Sequence, residues 1–384
     1  MKKLAFLCNN MKSTNGVERV LSQRLSLLAE SGEFDVYLIT YNQYGAPFSF
    51  PISDKVHYVD LATRFLNGCS YRGWFQYIDR FLSKIKYNQA VCRCLSSINP
   101  DVISCVDIHL ADLEAVLDLH INAVKVVECH CGLSAYYDDL NKYTSDKQRK
   151  ERKIKDKLID SVRKFDKIVV MTEAEKNDWG LGDKVVCIPN MLISYPECLP
   201  EQTNTYHRVI SVGRYAYQKG YDLLIEAWKL IHNKYPDWTL HIYGSRDGDM
   251  GDYNKLEEMK NRFQLCNVFL HQATNDVYSK YTESDFYVMS SRFESFGLVL
   301  IEAMSCGLPV VAFDCLFGPQ SIVTERETGV LVPPSDVKRL ADSICFMISH
   351  KDERIRMGRN AHEVVTKYKP ERIISIWRKF YQSL

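Results

Sequence analysis

One segment in the second half of the sequence combines residue types that bind phosphate groups. The predicted strand Arg208–Val212 leads into Gly213, and Arg214 and Lys219 follow before the predicted start of a helix. Glycine lets the backbone approach a ligand closely, two fixed cations can pair with a polyanion, and the N-terminus of the next helix favours negative charge. The segment is not a Walker loop, because the GxxxxGK[ST] pattern is absent. By itself it predicts either a diphosphate site or two ordinary surface charges.

A second segment, Ser290–Pro309, places two carboxylates around the predicted start of another helix. Glu294 lies just after a predicted strand, and Glu302 lies inside the predicted helix Leu298–Cys306. The free N–H groups at the start of that helix predict an anion site between the two carboxylates. A carboxylate beside a diphosphate is unfavourable unless it binds hydroxyl groups, so the pair indicates a sugar and a ribose that flank the phosphates. The alternative is that both glutamates are solvated residues on the surface of a helix.

Two further segments contain residue types that bind metals. Cys129-His130-Cys131 ends a predicted strand, but adjacent strand residues face opposite sides and a fourth ligand is missing, which argues against zinc. Asp247-Gly248-Asp249 has the Asp-x-Asp spacing, but the surrounding pattern does not fit a calcium loop. We therefore expect no metal and no cofactor, because Arg214 and Lys219 can supply the charge balance.

The elements that position these residues alternate between strands and helices. The predicted strands of the first half are Lys3–Cys8, Asp35–Thr40, Asp101–Val106, Val124–Cys129, Lys167–Met171 and Lys184–Ile188. Such alternation predicts parallel sheets with right-handed crossovers, and it restarts at Arg208. We predict an α/β fold of two doubly wound, Rossmann-like domains that face each other across a cleft, with ligands at the carboxyl ends of the strands.

The domain boundaries follow from the same pattern. Residues 1–190 form the predicted first domain, residues 191–207 a linker that is rich in proline, and residues 208–369 the second domain. The last predicted helix, residues 370–384, is apolar along one side and must pack on another element.

The composition excludes several classes of protein. The chain has 384 residues, of which 46% are apolar and 25% charged, which is typical of globular proteins. Lys and Arg number 49 against 48 Asp and Glu, so we expect no nucleic-acid partner. The 13 cysteines include no Cys-x-x-Cys pair, and no apolar run is long enough to span a membrane, which predicts a cytoplasmic protein with reduced thiols.

The second half of the sequence resembles the family 4 (group 1) retaining glycosyltransferases of the GT-B fold. The matching segments are VGRYAYQKGYDLLIEAW, FESFGLVLIEAMSCGLPVVAFD and ETGVLVPPSD. The arrangement Glu294-x7-Glu302, with Arg214 and Lys219 upstream, carries the resemblance. The layout of the family also implies that the last helix crosses back to the first domain.

The resemblance implies a role for each matching residue. Arg214 and Lys219 would bind the diphosphate of the donor, Glu294 would contact the donor sugar, and Glu302 would bind the ribose. His130 would face the sugar from the first domain. The remaining expected donor contacts are Gly16, Gly213, His271, Gln272 and the backbone of Phe296, Gly297 and Leu298.

Two segments depart from the pattern of the family. Asn15-Gly16 stands where an early Gly-Gly pair is frequent, and Gly318-Pro319-Gln320-Ser321 stands where many relatives have Gly-Pro-x-Glu. Any function that depends on this glutamate is therefore not expected here.

A basic segment, Lys147–Lys167, has two interpretations. It contains ten Lys or Arg residues and four acids, with apolar residues at helical spacing. It is either an amphipathic helix that packs on the sheet or a surface for anionic phospholipid, which the aromatic and basic segment Arg64–Arg93 would join.

These observations predict a retaining transferase for a hexose or an N-acetylhexosamine. The donor would be a nucleotide sugar, most often a UDP sugar, and the acceptor a glycan or lipid-linked glycan in cell-surface polysaccharide synthesis. The enzyme would be cytoplasmic or peripheral on the inner face of the membrane. The alternatives are a sugar-nucleotide 2-epimerase and a non-catalytic subunit that binds nucleotide or glycan.

Overall fold

The computed structural model describes residues 1–63, 74–106, 108–130, 132–138, 145–197, 199, 206–246 and 250–384. These residues form two compact units. The first consists of Met1–Met191 and Glu371–Leu384, and the second of Leu192–Pro370. The chain therefore leaves the first unit once and returns to it for its last helix.

Within the described residues, a parallel sheet of seven strands forms the centre of the first unit. Its strands are β1 (Lys2–Cys8), β2 (Phe34–Thr40), β3 (His57–Asp60), β4 (Val102–Cys105), β5 (Val124–Glu128), β6 (Lys167–Val170) and β7 (Val185–Cys187). Their order is β3-β2-β1-β4-β5-β6-β7, and every pair is parallel. The helices are α1 (Gly16–Glu30), α2 (Trp74–Ile98), α3 (Leu110–Leu117), α4 (Ala135–Asp138), α5 (Ser145–Val162) and α6 (Glu173–Trp179).

The second unit repeats this plan with six parallel strands. They are β8 (Arg208–Val212), β9 (Thr239–Gly244), β10 (Val268–Gln272), β11 (Phe286–Met289), β12 (Val310–Phe313) and β13 (Gly329–Val332), in the order β10-β9-β8-β11-β12-β13. The helices are α7 (Tyr221–Ile231), α8 (Met250–Arg262), α9 (Val277–Thr282), α10 (Leu298–Ser305), α11 (Gly318–Ile322), α12 (Val337–Ser349) and α13 (Lys351–Val364). The predicted α/β class with two parallel-sheet domains is confirmed.

The central strands are mostly apolar because helices cover both faces of each sheet. β4 and β12, for example, are fully buried. The helices instead bury one stripe each, as in α7, where Leu224, Ile225 and Trp228 are inaccessible to solvent. Each unit therefore has its own core.

The last helix, α14 (Pro370–Ser383), packs in the first unit. It buries Ile373, Ile374, Trp377, Phe380 and Tyr381, which recur at helical spacing. The ring of Tyr381 meets Phe6 of β1 edge to face at 5.9 Å.

The segment that sequence analysis interpreted as a linker is packed where the structure describes it. Leu192 N–H donates to the carbonyl of Tyr368 at 2.8 Å, and the hydroxyl of Tyr195 lies 2.7 Å from Nε2 of His362. From Leu192 onward, the described start of this segment is thus part of the second unit. Strands β3 and β13 were not predicted, because a segment of four residues gives too little periodicity to identify. Helix α13 was not predicted either.

Candidate active site

The second sheet reverses its strand order between β8 and β11, which are neighbours. Chain connections diverge on either side of such a point, and they leave a crevice at the carboxyl ends of the two strands. The loop after β8 carries Gly213, Arg214 and Lys219, and the loop after β11 carries Glu294. The fold therefore brings the two predicted segments together at this position.

The ammonium group of Lys219 and the carboxylate of Glu294 form an ion pair. Nζ of Lys219 lies 2.5 Å from Oε1 of Glu294, and the side chains are 14% and 10% exposed. The hydroxyl of Ser291 donates to the same carboxylate oxygen at 2.9 Å. Such charge-assisted contacts are short and strong, so the cation is held in a defined position after β8. The other predicted cation, Arg214, is exposed to solvent.

Two glycines allow the loops to approach each other. Gly220 has a φ of +61°, and a Cβ atom there would lie 2.1 Å from the carbonyl oxygen of Ser290. A Cβ atom on Gly213 would lie 2.8 Å from Cε of Lys219. A larger residue at Gly220 would therefore displace the turn that carries the cation, whereas one at Gly213 would push on the Lys219 side chain itself.

The start of α10 provides backbone donors beside the ion pair. Gly297 precedes the helix with a φ of +88°, and Leu298 is its first residue. The side chain of Phe296 is buried and meets Tyr368 edge to face at 5.3 Å, so that only the backbone of Phe296 is available to a ligand. The first N–H groups of a helix have no partner within the helix, and they favour an anion.

Glu302 lies in the second turn of α10 and is 3% exposed. Burial raises the pKa of the Tyr287 hydroxyl, and the carboxylates of Glu294 and Glu302 raise that pKa further. Tyr287 therefore keeps its proton, which it donates to the carbonyl of Val212 at 3.1 Å. The carboxylates of Glu294 and Glu302 thus both raise the pKa of Tyr287, which lies beneath the loop that follows β8.

His271 and Gln272 close β10, and the hydroxyl of Tyr215 donates to the carbonyl of His271 at 2.7 Å. Nε2 of His271 lies 2.9 Å from Nδ1 of His241, so the two rings share one proton in a hydrogen bond. Burial, and then the charge of Arg208, lowers the pKa of His241 to about 4. Burial also lowers the pKa of His271. Gln272 is exposed at the carboxyl end of the strand.

Gly16 and His130 lie in the first unit. Gly16 is the first residue of α1, which follows β1. His130 follows β5, and its Nε2 lies 3.1 Å from the carbonyl oxygen of Val106 after β4. Because the strands are parallel, both residues lie at the carboxyl edge of the first sheet.

Sequence analysis missed a buried ion pair beside these residues. A nitrogen of Arg24 in α1 lies 2.8 Å from Oε1 of Glu128, the last residue of β5, and the side chains are 4% and 5% exposed. Ser104 donates to the same oxygen at 2.7 Å, and the guanidinium lies 4.1 Å from the ring centroid of Trp377. The sequence signal for this pair was an arginine, Arg24, at a position within the apolar stripe of α1.

The two departures from the family pattern have different structural outcomes. Asn15 precedes α1 with an extended backbone, and its side chain makes no cap hydrogen bond. The hydroxyl of Ser321 donates to the carbonyl of Phe317 at 2.7 Å within α11. Ser321 thus stabilises the local backbone of that turn.

The described residues contain no group of three His, Cys, Asp or Glu side chains that could hold a metal ion. Cys131 and Asp247-Gly248-Asp249 lie outside the described residues. Within the described part of the chain, none of the helices has the length and apolarity needed to cross a membrane.

Two parallel α/β units, with cations and carboxylates at a strand-order reversal of the second unit, are the arrangement expected of the GT-B fold. Comparisons with known proteins agree with this fold. Residues 200–364 match the family model described as glycosyl transferases group 1. The chain is 27% identical over 392 residues to an uncharacterized glycosyltransferase of Haemophilus influenzae, with 98% of this chain and 99% of that protein covered.

Two further relatives are informative. The chain is 28% identical over 270 residues to a poly(ribitol-phosphate) alpha-N-acetylglucosaminyltransferase of Staphylococcus aureus, which covers 69% of this chain and 52% of that protein. A crystal structure of a TarM mutant from S. aureus, in complex with fondaparinux, alpha-GlcNAc-glycerol and UDP, has the same fold. Its TM-score is 0.76 at 17% identity, and 99% of each chain is covered. Residues 200–364 therefore match the group 1 glycosyl transferases, and the whole chain shares the fold of the S. aureus structure.

Proposed function

We propose that the protein is a retaining transferase that moves a hexosyl or N-acetylhexosaminyl group from a nucleotide sugar, of the UDP type, to a glycan or lipid-linked glycan. The process would be the synthesis of a cell-surface polysaccharide. The observation that carries the proposal is the Lys219–Glu294 ion pair beside the start of α10. Arg214 lies in the same loop as Lys219. This arrangement suits a diphosphate that is joined to a sugar.

The relatives support the choice of donor and acceptor. The name of the S. aureus relative specifies an alpha-N-acetylglucosaminyl group and a poly(ribitol-phosphate), and the similar TarM structure contains UDP. An alpha product from a donor whose sugar is alpha-linked is the outcome of retention.

The proposed mechanism relies on stabilisation of the leaving group. The bond between the anomeric carbon and the diphosphate breaks, a bond to the acceptor hydroxyl oxygen forms on the same face, and the hydroxyl proton passes to the departing phosphate. Negative charge grows on the diphosphate, where Lys219, Arg214 and the N–H groups at the start of α10 would meet it. Glu294 would bind sugar hydroxyls, Glu302 the ribose, and His271 and Gln272 would adjoin the base. In this proposal Lys219 and Arg214 supply the charge balance, so we expect the reaction to need no metal or other cofactor.

The first unit would supply the acceptor side. We propose that Gly16, at the start of α1, contacts the donor phosphate or the acceptor through its backbone. His130, at the carboxyl edge of the same sheet, would contact a sugar hydroxyl.

A decisive experiment is to incubate the protein with a panel of nucleotide sugars and to measure nucleotide release with and without glycan acceptors. A transferase releases nucleotide fastest with its acceptor, and NMR of the product gives the anomeric configuration. A sugar-nucleotide 2-epimerase would change the donor without an acceptor, and a binding subunit would release nothing. An inverted product would contradict the proposed retention.

A surface of the first unit supports contact with an anionic membrane. Phe81, Leu82 and Ile85 of α2 and Ile154 of α5 are 65%, 49%, 39% and 55% exposed. α2 and α5 both adjoin α3, because Lys84 and Lys157 both pair with Glu114, at 2.6 and 2.5 Å.

Exposed basic residues lie next to Ile154 along α5, namely Arg149, Lys150, Arg152 and Lys153. Apolar side chains beside several cations suit the interface of an anionic bilayer. The aromatic segment predicted to join this surface is only partly described. Its residues 64–73, and the side chains of 74–80, lie outside the described residues.

Vesicle flotation tests this surface. The wild type should float with phosphatidylglycerol vesicles and not with phosphatidylcholine vesicles, and Lys150→Glu with Lys153→Glu should abolish flotation. A matched pair of changes, Lys338→Glu with Arg339→Glu on α12 of the second unit, should leave it intact. Equal flotation with both vesicle types would contradict an electrostatic membrane contact.

A further inference from the structure

A third charged side chain adjoins the Lys219–Glu294 pair. Arg292 donates from Nη1 to the carbonyl of Tyr217 at 2.8 Å and to Oδ1 of Asp222 at 2.9 Å, and Nη2 donates to Oδ2 of Asp222 at 2.6 Å. Its side chain is 17% exposed, and its guanidinium lies 4.0 Å from the ring centroid of Tyr217. Arg292 therefore joins the loop after β11 to the first turn of α7.

The same loop binds the whole turn that carries Lys219. The carbonyl of Tyr217 accepts from the Arg292 side chain, the carbonyl of Gln218 accepts from the Arg292 N–H at 2.8 Å, and the carbonyl of Lys219 accepts from the Ser290 hydroxyl at 2.9 Å. Each of the three backbone carbonyl groups of the turn thus accepts a hydrogen bond from the segment Ser290–Arg292. The position of the Lys219 ammonium depends on this attachment, because the turn is only three residues long.

We propose that Arg292 is a positioning residue for the transfer reaction, which fixes the turn 217–219 so that Lys219 meets the departing diphosphate. The inference rests on the proposed function. The planar guanidinium satisfies a carboxylate with two parallel bonds and a carbonyl at the same time. The single ammonium of a lysine does not reproduce that geometry. Displacement of a catalytic group by about 1 Å can reduce a rate by roughly 100-fold.

Steady-state kinetics of Arg292→Ala and Arg292→Lys test the proposal. We expect kcat to fall by about 10- to 100-fold in Arg292→Ala, with a smaller fall in Arg292→Lys and little change in the KM for the donor. Arg356→Ala is a matched control, because Arg356 also binds a carbonyl (Arg326, 2.9 Å) and a carboxylate (Glu353, 2.6 Å) but lies on α13. The control should keep its activity within twofold of the wild type, and an equal loss in the control would overturn the proposal.

A double variant separates positioning from a general loss of structure. If Arg292 acts through Lys219, Arg292→Ala should reduce kcat by less than about twofold when Lys219 is already alanine. A full additional loss in the Lys219→Ala background would overturn the proposal.

Amide hydrogen exchange keeps the test separate from the proposed function. Exchange at residues 217–220 should accelerate in Arg292→Ala and not in Arg356→Ala. If the wild type shows no transferase activity but exchange still accelerates in Arg292→Ala, the proposed function is refuted and the structural role of Arg292 is supported. Unchanged exchange would overturn the positioning role whatever the activity.

Discussion

Each unit contains an ion pair that holds a helix or loop against the carboxyl end of a strand, but the two pairs have different surroundings. Arg24 and Glu128 in the first unit are 4% and 5% exposed, and the rings of Trp377 and Phe6 lie on the guanidinium at 4.1 and 5.4 Å. Lys219 and Glu294 in the second unit are 14% and 10% exposed and lie between loops. The first pair is sealed in the core, whereas the second remains close to solvent.

This difference predicts that the first pair contributes mainly to stability and the second mainly to the reaction. A fully buried pair leaves an uncompensated charge when one partner is removed, so its loss destabilises the fold. A pair at a strand-order reversal can exchange one partner for a ligand, because solvent reaches it. We therefore expect changes at Arg24 to affect mainly unfolding and changes at Lys219 to affect mainly turnover.

The largest expected effect is on the stability of the first unit. Arg24→Ala should lower the free energy of unfolding by about 4 kcal/mol, because the Glu128 carboxylate is left buried without its partner. Chemical denaturation measures the change. The control Arg378→Ala removes a partly exposed pair with Glu33 and should change the stability much less. A loss below about 1 kcal/mol in Arg24→Ala would show that the first pair is not sealed as described.

The next effect is on turnover. Lys219→Ala should lower kcat by about 100-fold, because the developing charge on the diphosphate loses a fixed cation. The unfolding midpoint should stay close to that of the wild type. Lys280→Ala, which removes a partly exposed pair with Glu283 at 3.2 Å, is the control and should retain its turnover. Unchanged kcat in Lys219→Ala would count against the proposed site.

A smaller effect is expected from a methyl group at the second pair. Gly220→Ala should lower kcat by about tenfold, because the added carbon would meet the Ser290 carbonyl and shift the turn that carries Lys219. Gly32→Ala is a matched control, since Gly32 has a similar φ of +68° but no atom within 4 Å of its Cβ position. Equal losses of turnover in both variants would mean that the close approach at Gly220 is unimportant.

The smallest expected effect concerns the uncharged His241–His271 pair. Because the folded pKa of His241 is depressed from 6.5 to about 4, the unfolded state binds more protons between these values. The free energy of unfolding should therefore fall as the pH drops from about 6.5 to about 4, by about 1 kcal/mol after allowance for solvent around the ring.

Denaturation curves at several pH values measure this loss. His241→Asn should flatten the pH dependence, whereas the exposed control His120→Asn should not. A pH dependence that is equal in His241→Asn and the wild type would exclude His241 as its source.

Much of the fold could be predicted from the sequence because both sheets are parallel and buried. Strands such as β1 and β8 are apolar runs bounded by turn residues, and each is followed by an amphipathic helix. The segments around Lys219 and Glu294 could be selected because charged residues stand where a strand ends.

Other features could not be predicted, because they depend on contacts that are distant in sequence. Arg292 and Asp222 are 70 residues apart, and Arg24 and Glu128 are 104 residues apart. Nothing in the local pattern of either segment indicates its partner. Whether Gly16 and His130 act in the reaction stays a prediction from the family resemblance.

The return of α14 to the first unit has a consequence for biosynthesis. A ribosome makes residues 371–384 after the entire second unit, although Trp377 and Tyr381 complete the core around Arg24. Domains usually fold in the order in which they are made. Here the second unit can close while the nascent first unit still exposes an apolar face and a guanidinium. That interval is when chaperones would bind the first unit, and when a fault in translation before residue 371 would leave a product prone to aggregation.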